Sequence, residues 1–283
     1  MSTTPVLAGH RSLIVGGGSG IGYATAELLL AAGATVTIAG RNTDKLQTAA
    51  ARLQSTATAG GGAIAWVGCD VMNGADVRKA VEVAEGGIRL DSAVTVPGGG
   101  HFRPVLGYPD DLFSEEVDMN VRPQYLVLKY AGLAMVRCGG GSIVAVSSTA
   151  AKFSSRYLAS YCAGKAAVEH LVRVAADELG EKNIRVNAVG PGLTRTDATA
   201  GMFGNAALLE RFLAQQPLRR GGEALDQAQA IRFLVGPDSS WITGQCLTVD
   251  GGNTLRSFPD CKDMAQSILG PEIFAATDRG EIV

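Results

Sequence analysis

Seven short runs of β-forming residues alternate with longer helical patterns, and this alternation constrains the fold more than any other feature of the chain. The runs are 12–16 (SLIVG), 35–40 (TVTIAG), 63–68 (AIAWVG), 92–96 (SAVTV), 142–148 (SIVAVSS), 184–190 (IRVNAVG) and 245–250 (QCLTVD). Helical periodicity falls near 20–32, 42–54, 74–85, 114–137, 158–180 and 223–235. Runs that are apolar on both faces and separated by helices imply a parallel sheet buried between two helical layers. The expected fold class is therefore α/β: a single doubly wound parallel seven-stranded sheet with helices on both faces. No composition shift marks a second domain. Two segments fall outside the alternation, so the expected organisation is one domain over 1–252, carrying a lid near 193–222, with a C-terminal extension over 253–283.

Composition excludes several classes of function. The chain is 46% hydrophobic and 18% charged, which suits a sizeable core and argues against disorder. A formal net charge of −2 without blocks of like charge points away from nucleic acid and from anionic membrane. No apolar run is long enough to span a bilayer. Cys69, Cys138, Cys162, Cys246 and Cys261 form no CxxC pair, and no histidine stands at ligand spacing from them. Reduced thiols, no metal site and a cytoplasmic setting are expected, the N-terminus lacking the form of a signal peptide.

The stretch LIVGGGSGIGYATAELLL passes from the first strand through glycines directly into a helix. The spacing Gly16-x-x-x-Gly20-x-Gly22 allows a tight turn, close approach of a pyrophosphate, and a helix N-terminus whose free N–H groups face the phosphates. Gly16, Gly18, Ser19, Gly20, Ile21 and Gly22 are the expected dinucleotide cradle. The second strand ends Ala39-Gly40-Arg41-Asn42, without the carboxylate that would bind a ribose 2′-hydroxyl. Arg41 instead offers a guanidinium suited to a 2′-phosphate, so NADP(H) is expected in preference to NAD(H). The plainer alternative is a solvated Arg41 opening the next helix. After the third strand, Asp70, followed by Val71, can accept from the adenine amino group or simply cap its own turn.

The fourth run leads into AVTVPGGGHF. No helix follows its glycines directly, so it is not a second phosphate loop. Pro97, Gly98 and Gly99 are expected at the carboxyl edge of the sheet, where glycine lets backbone approach the cofactor, with His101 and Phe102 leading toward substrate. For His101, as for His10 and His170, a role in packing or solvation is the alternative. Further along, Tyr161 and Lys165 share a helical face one turn apart, and Ser148 ends a strand thirteen residues before Tyr161. Ser147 competes for the serine position, but the spacing favours Ser148.

With these motifs in this order the chain resembles a short-chain dehydrogenase/reductase over about residues 10–252, in general look near bacterial 3-oxoacyl-thioester reductases and their relatives. The glycine loop matches the family's GxxxGxG, and Ser148 with Tyr161-x-x-x-Lys165 matches its catalytic motif. The resemblance places Asn120, in MNV, as the catalytic asparagine. It places Pro191, Gly192, Thr194 and Thr196, in VGPGLTRT, in the loop holding the nicotinamide, and it implies a Rossmann fold. Tyr161 would be the general acid and base, and Lys165 would depress its pKa and hold the nicotinamide ribose. Ser148 would orient the carbonyl, and Asn120 would hold a water relaying protons.

The implied function is NADP(H)-dependent interconversion of a carbonyl and a secondary alcohol on a small molecule, in a homodimer or homotetramer. A non-catalytic NADP(H)-binding regulator and an enoyl or dienoyl thioester reductase are the alternatives. Two positions depart from the family: Val15 replaces the usual threonine, and Thr95-Val96-Pro97-Gly98 replaces Asn-Asn-Ala-Gly. Val15 is expected to pack near Val96.

Overall fold

The computed structural model describes residues 6–257 and 259–281. In chain order its elements are β1 (Arg11–Val15), α1 (Gly20–Ala31), β2 (Thr35–Gly40), α2 (Thr43–Gly60), β3 (Ala63–Gly68), α3 (Gly74–Glu85), β4 (Ser92–Thr95), α4 (Asp110–Arg137), β5 (Gly141–Val146) and α5 (Ala159–Gly180). They continue with β6 (Ile184–Pro191), β7 (Thr194–Arg195), α6 (Ala200–Gly204), α7 (Ala206–Ala214), β8 (Gly222–Glu223), α8 (Ala224–Val235), β9 (Cys246–Val249), α9 (Lys262–Leu269) and α10 (Pro271–Asp278).

Seven strands form one parallel sheet in the order β3-β2-β1-β4-β5-β6-β9. Successive residues of a strand face opposite sides, and the central strands are apolar on both. Leu13, Ala93 and Ile143 pack under α3, α4 and α5, whereas Ile14, Val94 and Val144 pack under α1, α2 and α8. The doubly wound seven-stranded expectation holds. The order reverses between β1 and β4, and the crevice beyond their carboxyl ends is where such a sheet binds ligands.

The expected packing of Val15 on Val96 does not occur. Val15 lies level with Thr95 in the β1–β4 register and belongs to the Leu13 side of the sheet. Val96, one residue further along, packs against the opposite cluster. A one-residue step along a strand changes faces, so the two valines lie on different sides of the sheet.

Two features shape the carboxyl edge. The two-residue strands β7 and β8 pair in parallel, Thr194 with Gly222 and Arg195 with Glu223, closing the base of the segment expected to form a lid, which carries α6 and α7. The tail then returns over that lid. Cys261 joins Leu193, Leu208 and Phe212 in a separate apolar cluster, flanked by Phe102, Met202, Phe203, Leu209 and Met264. Arg211 of α7 pairs with Asp263 at 3.0 Å, Arg156 binds Asp260, and Phe274 meets Tyr157 edge-on at 5.2 Å.

Candidate active site

The N-terminus of α1 is open for an anion. Its N-cap, Ser19, makes no side-chain cap, and the first turn holds no acidic residue, so no carboxylate competes for the helix N–H groups. A side chain at Gly22 would strike the Gly16 carbonyl, which is why the turn can close onto the helix. Gly16, Gly18, Ser19 and Gly20 surround this end. Ile21 turns its side chain into the core, leaving its backbone to the cradle. These residues fit a dinucleotide pyrophosphate.

Beside the loop lies a cavity of about 510 Å³ whose walls include Ser19, Asn42, Lys45 and Arg52. Asn42 is the α2 cap, accepting from Lys45 N at 2.9 Å, and exposed Arg41 stands just before it. Asp70 Oδ1 accepts from Met72 N at 3.0 Å, so at least one oxygen caps its own turn; Val71 is buried.

β5 delivers two serines of different fate. Ser147 Oγ donates to Glu169 Oε1 at 3.3 Å, inside the protein. Ser148 Oγ accepts from Ala150 N at 3.1 Å and hydrogen-bonds the Tyr161 phenol. The structure thus brings Ser148, not Ser147, to Tyr161. Lys165, one turn along α5 and 3% exposed, donates from Nζ to Val146 O at 2.8 Å, with Nζ 5.7 Å from the Tyr161 ring centroid.

The electrostatics of this pair differ from expectation. Burial raises the Tyr161 pKa, and the Ser148 hydrogen bond offsets that rise. Burial also pulls Lys165 down to about 8. For the Tyr161 phenol the net direction is upward, because desolvation outweighs the contribution of Ser148.

Asn120 is fully buried, and its amide is held by the protein. Oδ1 accepts from Gly99 N at 3.1 Å, while Nδ2 donates to Gly99 O at 2.7 Å and to Glu116 O at 2.8 Å. The side chain expected to hold a water therefore clamps the loop after β4. That loop lies against the reactive residues: a Cβ on Gly98 would come within 2.7 Å of Lys165 Nζ, and one on Gly100 within 2.7 Å of Tyr161 Cβ. Phe102 reaches the lid cluster, whereas His101 is exposed and directs Nδ1 to Glu116 Oε1 at 2.6 Å.

On the far wall, Pro191 ends β6 and Gly192 packs against Asp250. Thr194 Oγ1 donates to Gly192 O and accepts from Gln227, so its hydroxyl faces α8. The Thr196 methyl lies over Gly20, on the cofactor side. Sequence reasoning missed Glu116, Gln124 and Ser160, which support the site from beneath; their signal was the polar i, i+4, i+8 row of Glu116, Asn120 and Gln124. Among the described residues no group of three or more His, Cys, Asp or Glu is placed to hold a metal, and no helix is long and apolar enough to cross a membrane.

Comparison with known proteins agrees with this geometry. A family model described as enoyl-(acyl carrier protein) reductase matches residues 16–254. A 2,5-dichloro-2,5-cyclohexadiene-1,4-diol dehydrogenase of Sphingobium indicum is 38% identical over 256 residues, covering 88% of this chain and 98% of the relative. The 7alpha-hydroxysteroid dehydrogenase of Escherichia coli is 34% identical over 247 residues, covering 87% and 94%. Among solved structures, a short-chain type dehydrogenase/reductase from Mycobacterium ulcerans matches with a TM-score of 0.91 at 39% identity, covering 95% of this chain and 98% of its own. A 7alpha-hydroxysteroid dehydrogenase complexed with NADH and 7-oxo glycochenodeoxycholic acid matches with a TM-score of 0.83 at 33% identity, covering 89% and 97%.

Proposed function

The chain belongs to the short-chain dehydrogenase/reductase family of oxidoreductases, and from that premise we propose that it interconverts a ketone and a secondary alcohol with NADP(H). The observation that carries this reading is the meeting of Ser148, Tyr161 and Lys165 at the carboxyl edge of the sheet, beside an uncapped helix N-terminus. The nicotinamide, when bound, supplies or accepts the hydride. Tyr161 donates the proton to the carbonyl oxygen, or takes it from the hydroxyl, and Ser148 orients that oxygen. A phenol whose pKa is raised by burial stays protonated through neutral pH, which suits the reducing direction there. The ammonium of Lys165, one turn from Tyr161, provides positive charge beside the developing phenolate.

Arg41 after β2, and the absence of a carboxylate at Ala39-Gly40, favour NADP(H) over NAD(H). Gly16, Gly18, Ser19, Gly20, Ile21 and Gly22 would hold the pyrophosphate through backbone. Asp70 and Val71 would border the adenine, and Pro97, Gly98, Gly99, Pro191, Gly192, Thr194 and Thr196 would line the nicotinamide end. Met202, Phe203 and Leu209 of the lid pack on the same apolar cluster as Phe102, which suits an apolar substrate. The two relatives are named as dehydrogenases of a cyclohexadiene diol and a hydroxysteroid, so cyclic ketones and alcohols come first in any panel. Exposed Leu133, Val136 and Val174 on α4 and α5 fit assembly as a homodimer or homotetramer, and five free thiols fit a reducing, cytoplasmic setting.

The test is a carbonyl panel with NADPH, followed at the nicotinamide absorbance, on the parent and on Tyr161→Phe. Turnover by the parent and a loss of ~10²–10⁴-fold in Tyr161→Phe are expected, with NADPH affinity little changed. A parent that binds NADPH but reduces nothing would instead favour a cofactor-binding role without turnover.

A further inference from the structure

The face of α4 beneath the site carries three buried polar side chains one turn apart: Glu116, Asn120 and Gln124, exposed by 3%, 0% and 4%. Each grips a different residue of the segment leaving β4. Gln124 Nε2 donates to Pro97 O at 3.1 Å, Asn120 bonds both backbone groups of Gly99, and the Glu116 carboxylate takes His101 Nδ1. The series continues off the helix, where Arg103 N donates to Tyr157 O at 2.7 Å. Residues 97, 99, 101 and 103 are thus held in turn.

The spacing has a simple cause. Four residues of α-helix rise ~6 Å, and two residues of near-extended chain advance ~6.6 Å, so an i, i+4, i+8 row matches alternate residues of a segment running the other way. The residues in between, Gly98 and Gly100, lie against Lys165 and Tyr161 with no room for a side chain. The second Glu116 oxygen accepts from Ser160 Oγ, next in sequence to Tyr161, and Ser160 Oγ also lies 3.0 Å from the Tyr108 hydroxyl. A buried carboxylate and a buried amide are poor choices for stability where apolar side chains would fit. Gln124 Oε1 has no hydrogen-bond partner among the described residues.

We propose that Glu116 and Gln124 are positioning residues for the reaction. With Asn120 they form a ladder that sets the backbone of residues 97–101 against Tyr161 and Lys165, and Glu116 also fixes the first turn of α5 through Ser160. The proposal rests on Tyr161 and Lys165 being the reacting pair. A lost rung frees the loop that excludes water from them, so both proton affinity and turnover change.

The test uses the full chain with Gln124→Leu, Glu116→Leu and Glu116→Gln. In ligand-free protein, amides of residues 98–103 exchange with deuterium about tenfold faster in the two leucine variants, while β1 and β5 are unaffected. With NADPH and a ketone that the parent reduces, kcat of Gln124→Leu falls about fivefold or more, and the inflection of its pH profile moves by about half a unit. Its melting temperature stays within ~3 °C of the parent. Glu116→Gln keeps an acceptor for His101 and a polar group for Ser160, and retains kcat within about threefold.

Unchanged exchange at 98–103 in the leucine variants overturns the ladder. Faster exchange with unchanged kcat and inflection overturns the positioning role. Equal losses in Glu116→Gln and Glu116→Leu assign the effect to charge and also overturn it. If Glu116→Leu does not fold, Gln124→Leu decides alone. A parent without turnover on any ketone sinks the reaction assigned above, and the exchange measurement still decides the ladder.

Discussion

Lys165 donates to a single backbone carbonyl from a position 3% exposed, and burial draws its pKa from 10.5 to about 8. The sign of the consequence follows from linkage. Below pH 8 the folded and unfolded chains both carry the proton, and the cost of the buried ammonium is fully present. Between about 8 and 10.5 the folded chain releases it first, so stability recovers as pH rises. Lys165→Met removes that cost and loses one hydrogen bond, a net gain of roughly 1–2 kcal/mol at pH 7. The expected result is a variant that melts above the parent near neutrality, with the gap closing at about pH 9 and reversing above it, and that has lost turnover. Thermal melts of both proteins across that range check it, and a variant less stable than the parent at pH 7 sinks it. Ser148, Tyr161 and Lys165 were legible because a strand-terminal serine thirteen residues before a helical Tyr-x-x-x-Lys matches the family's catalytic motif. The raised Tyr161 pKa was not, because desolvation depends on neighbours such as Gly100 that pack on Tyr161 from another part of the chain.

The helices and strands follow the sequence pattern closely, and the departures have local causes. α2 runs on to Gly60, beyond the expected 54, because its last turns bury little more than Ala57 and so show no strong apolar stripe. α4 begins at Asp110 rather than 114, where Asp110 and Asp111 favour the positive end of the helix. The tail was hardest to place, since nothing in its composition says which surface it meets. It covers the lid of its own chain through Cys261, Met264 and the Arg211–Asp263 pair. The pair is exposed and contributes at most ~1 kcal/mol, so the apolar contacts carry the attachment. Deleting residues 260–283 is expected to raise KM about fivefold or more, with a smaller change in kcat, and to speed proteolysis within residues 200–216. Kinetics and limited digestion check this; an unchanged KM with an equally resistant lid would mean that the tail leaves the substrate site unaffected.

As a whole the molecule separates what it holds still from what it can vary. The doubly wound parallel sheet was readable from the alternation of runs, which reports burial directly, and the phosphate loop from its glycine spacing; the strand order came only with the fold. The α4 ladder was not, because its partners become neighbours only after folding. Cofactor binding joins the parts: at a hundredfold excess over Kd, NADPH is expected to stabilise the fold by ~2.7 kcal/mol, a rise in melting temperature of about 4–5 °C. NADH at the same concentration is expected to give less than half that shift, and an equal or larger shift would refute the reading of Arg41. The pairing of β7 with β8 has a consequence for how such an enzyme diversifies. Because Thr194–Arg195 and Gly222–Glu223 lie side by side, the intervening segment leaves and re-enters the fold at one point. Doubling the length of a loop adds only ~0.6 kcal/mol of closure entropy. Residues 197–221, beyond the cofactor-side Thr196, therefore form an exchangeable cassette, in which selection or an engineer can rewrite substrate scope while the proton-transfer geometry stays where it is.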